Sequence, residues 1–280
     1  MKSFLTLECL TKTFPARKKE PEYIVFEDVS YTIDKGEFVC IIGHSGCGKS
    51  TILNVLAGLD KPSTGYISMD GKEVIGSSLD RGVVFQNYSL LPWLTALQNV
   101  VFGVKARFPN KSKIEIKEHS LKYLKMVGLA ENVNKKPSEL SGGMRQRVSI
   151  ARAFATHPKL LLLDEPFGAL DALTRGNIQD ELIKIWGETK QTVFMITHDV
   201  DEAILLADKI ILMSNGPKAC IAEEVIVNLP RPRERGKIID EEGYYKIRKH
   251  LIKFLVERSS DFKGDKRRKT PLIVDPTKEK

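Results

Sequence analysis

The stretch Gly43-His44-Ser45-Gly46-Cys47-Gly48-Lys49-Ser50-Thr51 lies directly behind the apolar run Phe38-Val39-Cys40-Ile41-Ile42, and it constrains the fold of this 280-residue chain more than any other segment. A buried strand ends there in a glycine-rich turn, and Thr51-Ile52-Leu53-Asn54-Val55-Leu56-Ala57 opens a helix whose first N–H groups have no intrahelical partner. Those donors converge on an anion. Gly43, Gly46 and Gly48 let the backbone come close to a polyphosphate, Lys49 can reach its β- and γ-phosphates, and Ser50 can ligate magnesium. The pattern G-x4-G-K-[ST] arises by chance in such a chain on the order of once in a hundred. The strand before it and the helix after it make an ordinary glycine-rich turn the weaker reading.

Several classes are disfavoured by composition. No stretch approaches the roughly 18 uncharged apolar residues of a membrane span, and the N-terminus lacks a signal-peptide core, so the chain is expected to stay in the cytosol. Cys9, Cys40, Cys47 and Cys220 are scattered, with neither a zinc spacing nor a disulfide framework. Cys40 reads as strand core. Cys47 sits inside the turn, where a helix N-terminus can lower a thiol pKa and oxidation can block nucleotide binding; a small, tolerated side chain is the plainer reading. Of the formal net charge of +8, residues 229–280 carry +7. The remainder is nearly neutral, which is weak ground for nucleic-acid binding.

Leu5–Leu10, Tyr23–Phe26, Val29–Ile33 and Gly65–Gly71 read as short strands between turns, together a small antiparallel sheet. Phe14 follows the first at a spacing where its ring can stack on adenine or make a satellite core contact. Gly82-Val83-Val84-Phe85 is predicted as a buried strand that delivers Gln86 to magnesium or to the attacking water. The following Leu90, Leu91 and Trp93 suit a protein partner, with core burial an equal reading for Trp93.

A helical insertion is expected from about Tyr88. Ser112-x-x-Glu115 forms a capping box, Leu121, Leu124 and Val127 repeat at three, and Gly128 suits a helix end. The insertion runs to Leu140-Ser141-Gly142-Gly143-Met144-Arg145-Gln146-Arg147, where Ser141 caps a new helix and two glycines bare its first N–H groups, a second anion-binding helix start. Leu160-Leu161-Leu162-Leu163 ends in Asp164 and Glu165, the pattern of a central parallel strand whose edge faces a ligand. Neighbouring side chains leave a strand on opposite sides, so one carboxylate can hold magnesium and the other can orient water. Thr192–Thr197 delivers His198 to the same edge. A helix over Asp199–Ala207, a strand Ile210–Met213 and a turn at Asn215-Gly216-Pro217 complete the globular part.

Beyond Pro230 the composition shifts. Arg231-Pro232-Arg233-Glu234-Arg235-Gly236 reads as an extended basic linker, Tyr244, Ile247, Leu251 and Phe254 give an apolar face to a helix over 242–258, and 263–276 reads as disordered. This basic extension either touches anionic lipid or a partner subunit, or is simply solvated.

The sequence resembles the nucleotide-binding subunits of ABC transporters over residues 1–228. Gly43–Thr51 looks like the Walker A motif, Gln86 the Q-loop, Leu140–Arg147 the signature, Leu160–Asp164 the Walker B strand, Glu165 the catalytic glutamate, Ala169-Leu170-Asp171 the D-loop and His198 the switch histidine. The segments Gln86–Trp93 and Ser141–Arg147 are similar to the branch importing nitrate, sulfonate, taurine and related anions. Gly43–Gly48, Phe108-Pro109-Asn110-Lys111, Arg231-Pro232-Arg233 and Tyr244-Tyr245 are similar to its nitrate and bicarbonate members.

The resemblance implies an α/β fold, a P-loop NTPase with a RecA-like core, an antiparallel β subdomain and a helical subdomain at about 88–155. It implies ATP and Mg2+ as ligands, with Lys49 on the phosphates, Ser50 and Gln86 on magnesium, Asp164 on magnesium through water, Glu165 activating water and His198 at the γ-phosphate. It also implies a head-to-tail dimer in which Ser141, Gly142 and Gly143 of a second cassette cover the nucleotide. The expected partners are that cassette, a transmembrane permease docked around Tyr88–Leu94 at the cytoplasmic face of the membrane and, indirectly, a substrate-binding protein; nitrate is the first-choice cargo. The alternatives are a bicarbonate, sulfonate or taurine importer, an exporter cassette, or a soluble ABC ATPase acting on DNA or ribosomes. With 54 residues between Gln86 and Ser141 there is no room for the long coiled coil of the DNA-acting forms, and the ribosome-acting forms usually join two cassettes in one chain.

Overall fold

Alternating burial along Leu5–Phe14 (β1) marks a strand with one face in a core, and it pairs antiparallel with Tyr23–Ile33 (β2) on one side and Thr64–Met69 (β4) on the other. Asp70 and Gly71, both at positive φ, turn β4 back into the short Lys72–Glu73 (β5). The expected antiparallel sheet is therefore present, in the order β2-β1-β4-β5. Two of the expected strands prove to be one. Asp28 takes φ 55 and donates its N–H to Thr11 Oγ1 at 3.1 Å, so the charged pair Glu27-Asp28 forms an irregularity inside β2 where a turn was predicted.

The computed structural model describes residues 3–15, 22–168, 170–258 and 271–278. The chain divides into two units, residues 1–77 with 192–280 and residues 78–191. Beside the antiparallel sheet, the first unit holds Phe38–Ile42 (β3), wholly buried, flanked in parallel by Thr192–Ile196 (β8) and Lys209–Met213 (β9). Lys49–Ala57 (α1) follows β3, and Val200–Leu206 (α6) follows β8. The globular part does not stop at the 215–217 turn. Ile221–Ile226 (β10) adds antiparallel to β9, and Leu272–Val274 (β11) adds parallel to β10.

The C-terminal extension belongs to this unit, which corrects the reading of 231–236 as a linker. Arg233 is buried, and its guanidinium donates to the carbonyls of Ile204, Ala207, Val227 and Leu229. Burial, with the neighbouring Arg231 adding and Asp208 opposing, lowers its pKa to about 10. Arg231 pairs with Asp208 at 2.6 Å and donates to Leu206 O at 2.7 Å. After a short helix at Arg235–Ile238 (α7) comes Glu242–Lys253 (α8), as expected from its apolar face, closed by a π-helical turn at Phe254–Arg258. Tyr244, Ile247, Leu251 and Phe254 are buried; Tyr244 Oη and Arg248 Nε both donate to Asp201 of α6 at 2.7 Å, and His250 meets the buried Glu223 of β10 at 2.7 Å. Strand β11 likewise corrects the expected disorder at residues 271–276; the rest of that expectation, 263–270, lies outside the described residues.

In the second unit, Arg81–Val84 (β6) pairs parallel with Leu160–Asp164 (β7). Between them run Ala96–Arg107 (α2), Lys113–Met126 (α3) and Gly142–Ala155 (α4), and Ala172–Thr189 (α5) follows β7. The Ser112 capping box forms as predicted, and Thr95 builds a second one with Gln98 at the start of α2. His119 and Tyr123 of α3 gather with Phe108 and His157 in an aromatic cluster, with His119 and His157 centroids 5.3 Å apart. Among the described residues no helix is long and apolar enough to cross a membrane.

Candidate active site

In the first unit, β3 and β8 run parallel with Ile41 opposite Ile196, so the turn after β3 and His198 after β8 emerge at one sheet edge. The predicted phosphate loop is this turn. Gly48 caps α1 at φ 95, a conformation that favours glycine, and a Cβ there would lie 2.6 Å from Val25 Cγ1. Gly48 has no side chain to cap α1, and a helix start without a side-chain cap is suited to an anion. Lys49 is buried and its ammonium donates to the carbonyls of Gly43 at 2.7 Å and His44 at 3.0 Å. His44, Ser45, Gly46 and Ser50 are exposed, and Thr51 is half-buried. His198 is exposed and leads into α6, whose first turn is capped by the Asp199 carboxylate.

Cys47 behaves as the plainer reading holds. It is buried, and that burial raises its thiol pKa, although Lys49 at 3.8 Å pulls the other way. A protonated, inaccessible thiol is a poor target for oxidation. Phe14 is the last residue of β1 and 43% exposed, which removes the satellite-core reading; Lys12 Nζ stands 5.1 Å from its ring centre.

The second unit brings Gln86 and the two carboxylates together. Strand β6 aligns Val84 with Leu163 of β7, so Gln86 leaves the same edge as Asp164 and Glu165. Gln86 Nε2 donates to Glu165 Oε2 at 3.3 Å. Glu165 stands at φ 44, a left-handed backbone unusual for a side chain of its kind, and Tyr88 and Ser89 follow Gln86 at φ 56 and 46. Backbone strain thus gathers on both sides of this contact.

Ser141 caps α4 as predicted, accepting from the Met144 N–H at 3.3 Å. Gly143 is required by packing, because a Cβ there would stand 2.4 Å from Thr174 Cγ2 of α5. The Arg145 guanidinium lies 5.3 Å from the Tyr88 ring centre, so the segment after Gln86 rests on the signature helix. Of the D-loop residues, Ala169 lies outside those described, Leu170 is buried and Asp171 caps α5 through the Thr174 N–H at 3.0 Å, a bond that holds its carboxyl below the usual range.

One organiser escaped the sequence reading. Asn99 is fully buried in α2; it accepts from the Leu91 N–H and donates to the carbonyls of Leu91, Leu94 and Thr95, fixing the loop that carries Trp93. Trp93 itself is 67% exposed, whereas Leu90 and Leu91 are half-buried. An asparagine on an otherwise apolar helix face was the available signal.

The ABC transporter family profile matches residues 26–168. The bicarbonate transport ATP-binding protein CmpD of Synechocystis sp. is 49% identical over 256 residues, 91% of this chain and 90% of its own length. The nitrate import ATP-binding protein NrtD of Synechococcus elongatus is 48% identical over 255 residues, 91% of this chain and 92% of its own. The solved dimeric structure of the ATP-binding cassette MJ0796, in a post-hydrolysis state with ADP and Pi, superposes with a TM-score of 0.72 at 35% identity, covering 81% of this chain and all of that one. A strand-loop-helix with a buried lysine, a strand-end carboxylate pair, a serine-capped glycine helix start and these similarities converge, and the chain belongs to the ABC transporter family of ATP-binding proteins.

Proposed function

We propose that this chain is the ATP-hydrolysing subunit of an importer for a small planar oxyanion, nitrate or bicarbonate. The similarity to CmpD and NrtD over nine-tenths of the chain carries the transport reading. The chemical reading rests on Glu165, a strand-end carboxylate steered by Gln86.

The amides at the start of α1 and the Lys49 ammonium bind the phosphates, and Phe14 offers an exposed ring face to adenine. Ser50, Gln86 and Asp164 present hydroxyl, amide and carboxylate oxygens, the hard donors that magnesium takes. With the Gln86 amide nitrogen engaged by Glu165, its oxygen is the atom for the cation. Bound magnesium would neutralise phosphate charge. Glu165 takes the proton of the attacking water, and His198 donates to the γ-phosphate. Ser141, Gly142 and Gly143 serve the nucleotide of a second cassette, whose own helix start completes the site of this one.

Through the loop carrying Trp93 the subunit docks on a permease at the cytoplasmic face of the membrane, and a binding protein supplies the anion. Co-purification with a multispanning subunit, followed by ATPase assays in vesicles loaded with nitrate or bicarbonate, tests this reading. Activity that responds to neither anion, or no membrane partner, would overturn it.

A further inference from the structure

The phosphate loop is tied to the C-terminal extension. His44 Nε2 lies 2.8 Å from the carbonyl oxygen of Leu255, in the π-helical turn that closes α8. A carbonyl only accepts, so the contact places a proton on Nε2. The turn is a firm anchor: Phe254 and Leu251 are fully buried, and α8 is pinned through Tyr244 and Arg248 to Asp201 and through His250 to Glu223. Asp201 lies in the first turn of α6, just beyond His198. One helix therefore holds both the loop after β3 and the segment after β8.

We propose that His44 is a positioning residue, which fixes the phosphate loop through the Leu255 carbonyl and makes the C-terminal extension part of the nucleotide site. The proposal rests on the reading of Gly43–Thr51 as the ATP loop. Lys49 now donates to the carbonyls of Gly43 and His44, and a phosphate competes for the same ammonium. As Lys49 turns to the phosphate, these internal ties of the loop weaken. The His44 tie does not involve Lys49 and persists. It holds the loop in the shape that presents its amides, and losing it should cost affinity rather than fold.

The test uses the full-length protein and measures ADP and ATP affinity by calorimetry for the wild type, His44→Leu, His44→Gln and Lys49→Ala. Glutamine carries an N–H donor close to where the imidazole Nε2 stands. Loss of one hydrogen bond should weaken nucleotide binding about three- to tenfold in His44→Leu, with His44→Gln recovering most of it and the thermal midpoints of both staying near wild type. Amide exchange at 254–258 should slow on adding ADP to the wild type and not to His44→Leu. Wild-type affinity in His44→Leu, or equal losses in the leucine and glutamine variants, would overturn the proposal. A wild type that binds no nucleotide, or a Lys49→Ala variant that binds as well as wild type, would instead overturn the ATP-loop reading on which it rests.

Discussion

Gln86 Nε2 donates to Glu165 Oε2 across 3.3 Å, joining the residue after one parallel strand to the residue after its neighbour. Glu165 is held at a left-handed backbone and by this bond at once, so the direction of its carboxylate is set by the strand end and by Gln86 together. Replacing Glu165 by Gln keeps the shape and removes the carboxylate proposed above as the base. Nucleotide affinity should stay within about twofold while turnover falls at least about a hundredfold, or about 2.7 kcal/mol of barrier. Steady-state ATPase rates together with equilibrium binding check this, and near-normal turnover would move the base role elsewhere.

The close approach of Gly143 to Thr174 predicts a packing cost separable from chemistry. Gly143→Ala should destabilise the fold by about 1–3 kcal/mol, because the new methyl must displace Thr174 Cγ2. Adding Thr174→Ser removes the obstructing methyl. A double-mutant cycle in urea should therefore show the pair recovering most of the loss, and additive effects would mean that the clash is relieved some other way.

Arg233 predicts how firmly the extension is held. Arg233→Met leaves four carbonyls, on Ile204, Ala207, Val227 and Leu229, without their shared donor. Stability should drop by at least about 3 kcal/mol, with amide exchange accelerating first in α6 and α8. A surface-like loss below about 0.5 kcal/mol would contradict the burial seen here.

Acid sensitivity should trace to His157. Burial of its ring against the aromatic cluster, with the nearby charges of His119, Lys111, Lys122 and Arg107 adding, holds its pKa below the ordinary histidine value. The unfolded chain then takes up this proton at higher pH than the folded one. Stability from this site is accordingly complete above about pH 6.5 and is lost as the pH falls below it. Because His157 stands at φ 47, asparagine is the substitution that tolerates the backbone while deleting the titration. Urea midpoints measured between about pH 7.5 and 5.5 should fall less steeply in His157→Asn than in the wild type; parallel slopes would clear His157 of the effect.

Trp93→Ala should leave the fold within about 0.5 kcal/mol of wild type, since the ring is two-thirds exposed on a loop that Asn99 fixes independently. Coupling between ATPase activity and anion uptake in the assembled transporter should fall nonetheless. Unimpaired coupling would place the permease contact elsewhere.

Local chemistry made much of this molecule legible. The phosphate loop, the Ser112 and Ser141 caps, the strand ending at Asp164 and the apolar face of α8 each announce themselves within a few residues, because periodicity, capping and turn preferences are short-range. What escaped is long-range. Glu27-Asp28 looks like a turn until Thr11, on the neighbouring strand, accepts its N–H. Arg231 and Arg233 look like solvated charge until carbonyls from α6 and from the segment after β10 surround the guanidinium of Arg233. Among the site residues, the order along the chain indicated which side chains lie at strand ends. The Gln86–Glu165 bond and the His44–Leu255 tie depend on partners 79 and 211 positions away, and no local pattern encodes them.

Strand β11 has a consequence for synthesis as well as for the finished fold. Strand β10 leaves the ribosome before Leu272 does, and until Leu272 follows it the outer edge of β10 is a bare template that another nascent chain can extend. Leu272-Ile273-Val274 closes it, and Pro271 and Pro276, which have no N–H to offer a ladder, bracket a segment too short to recruit a further strand. Chains cut short before this strand are therefore the ones expected to aggregate, even where their nucleotide site is fully formed.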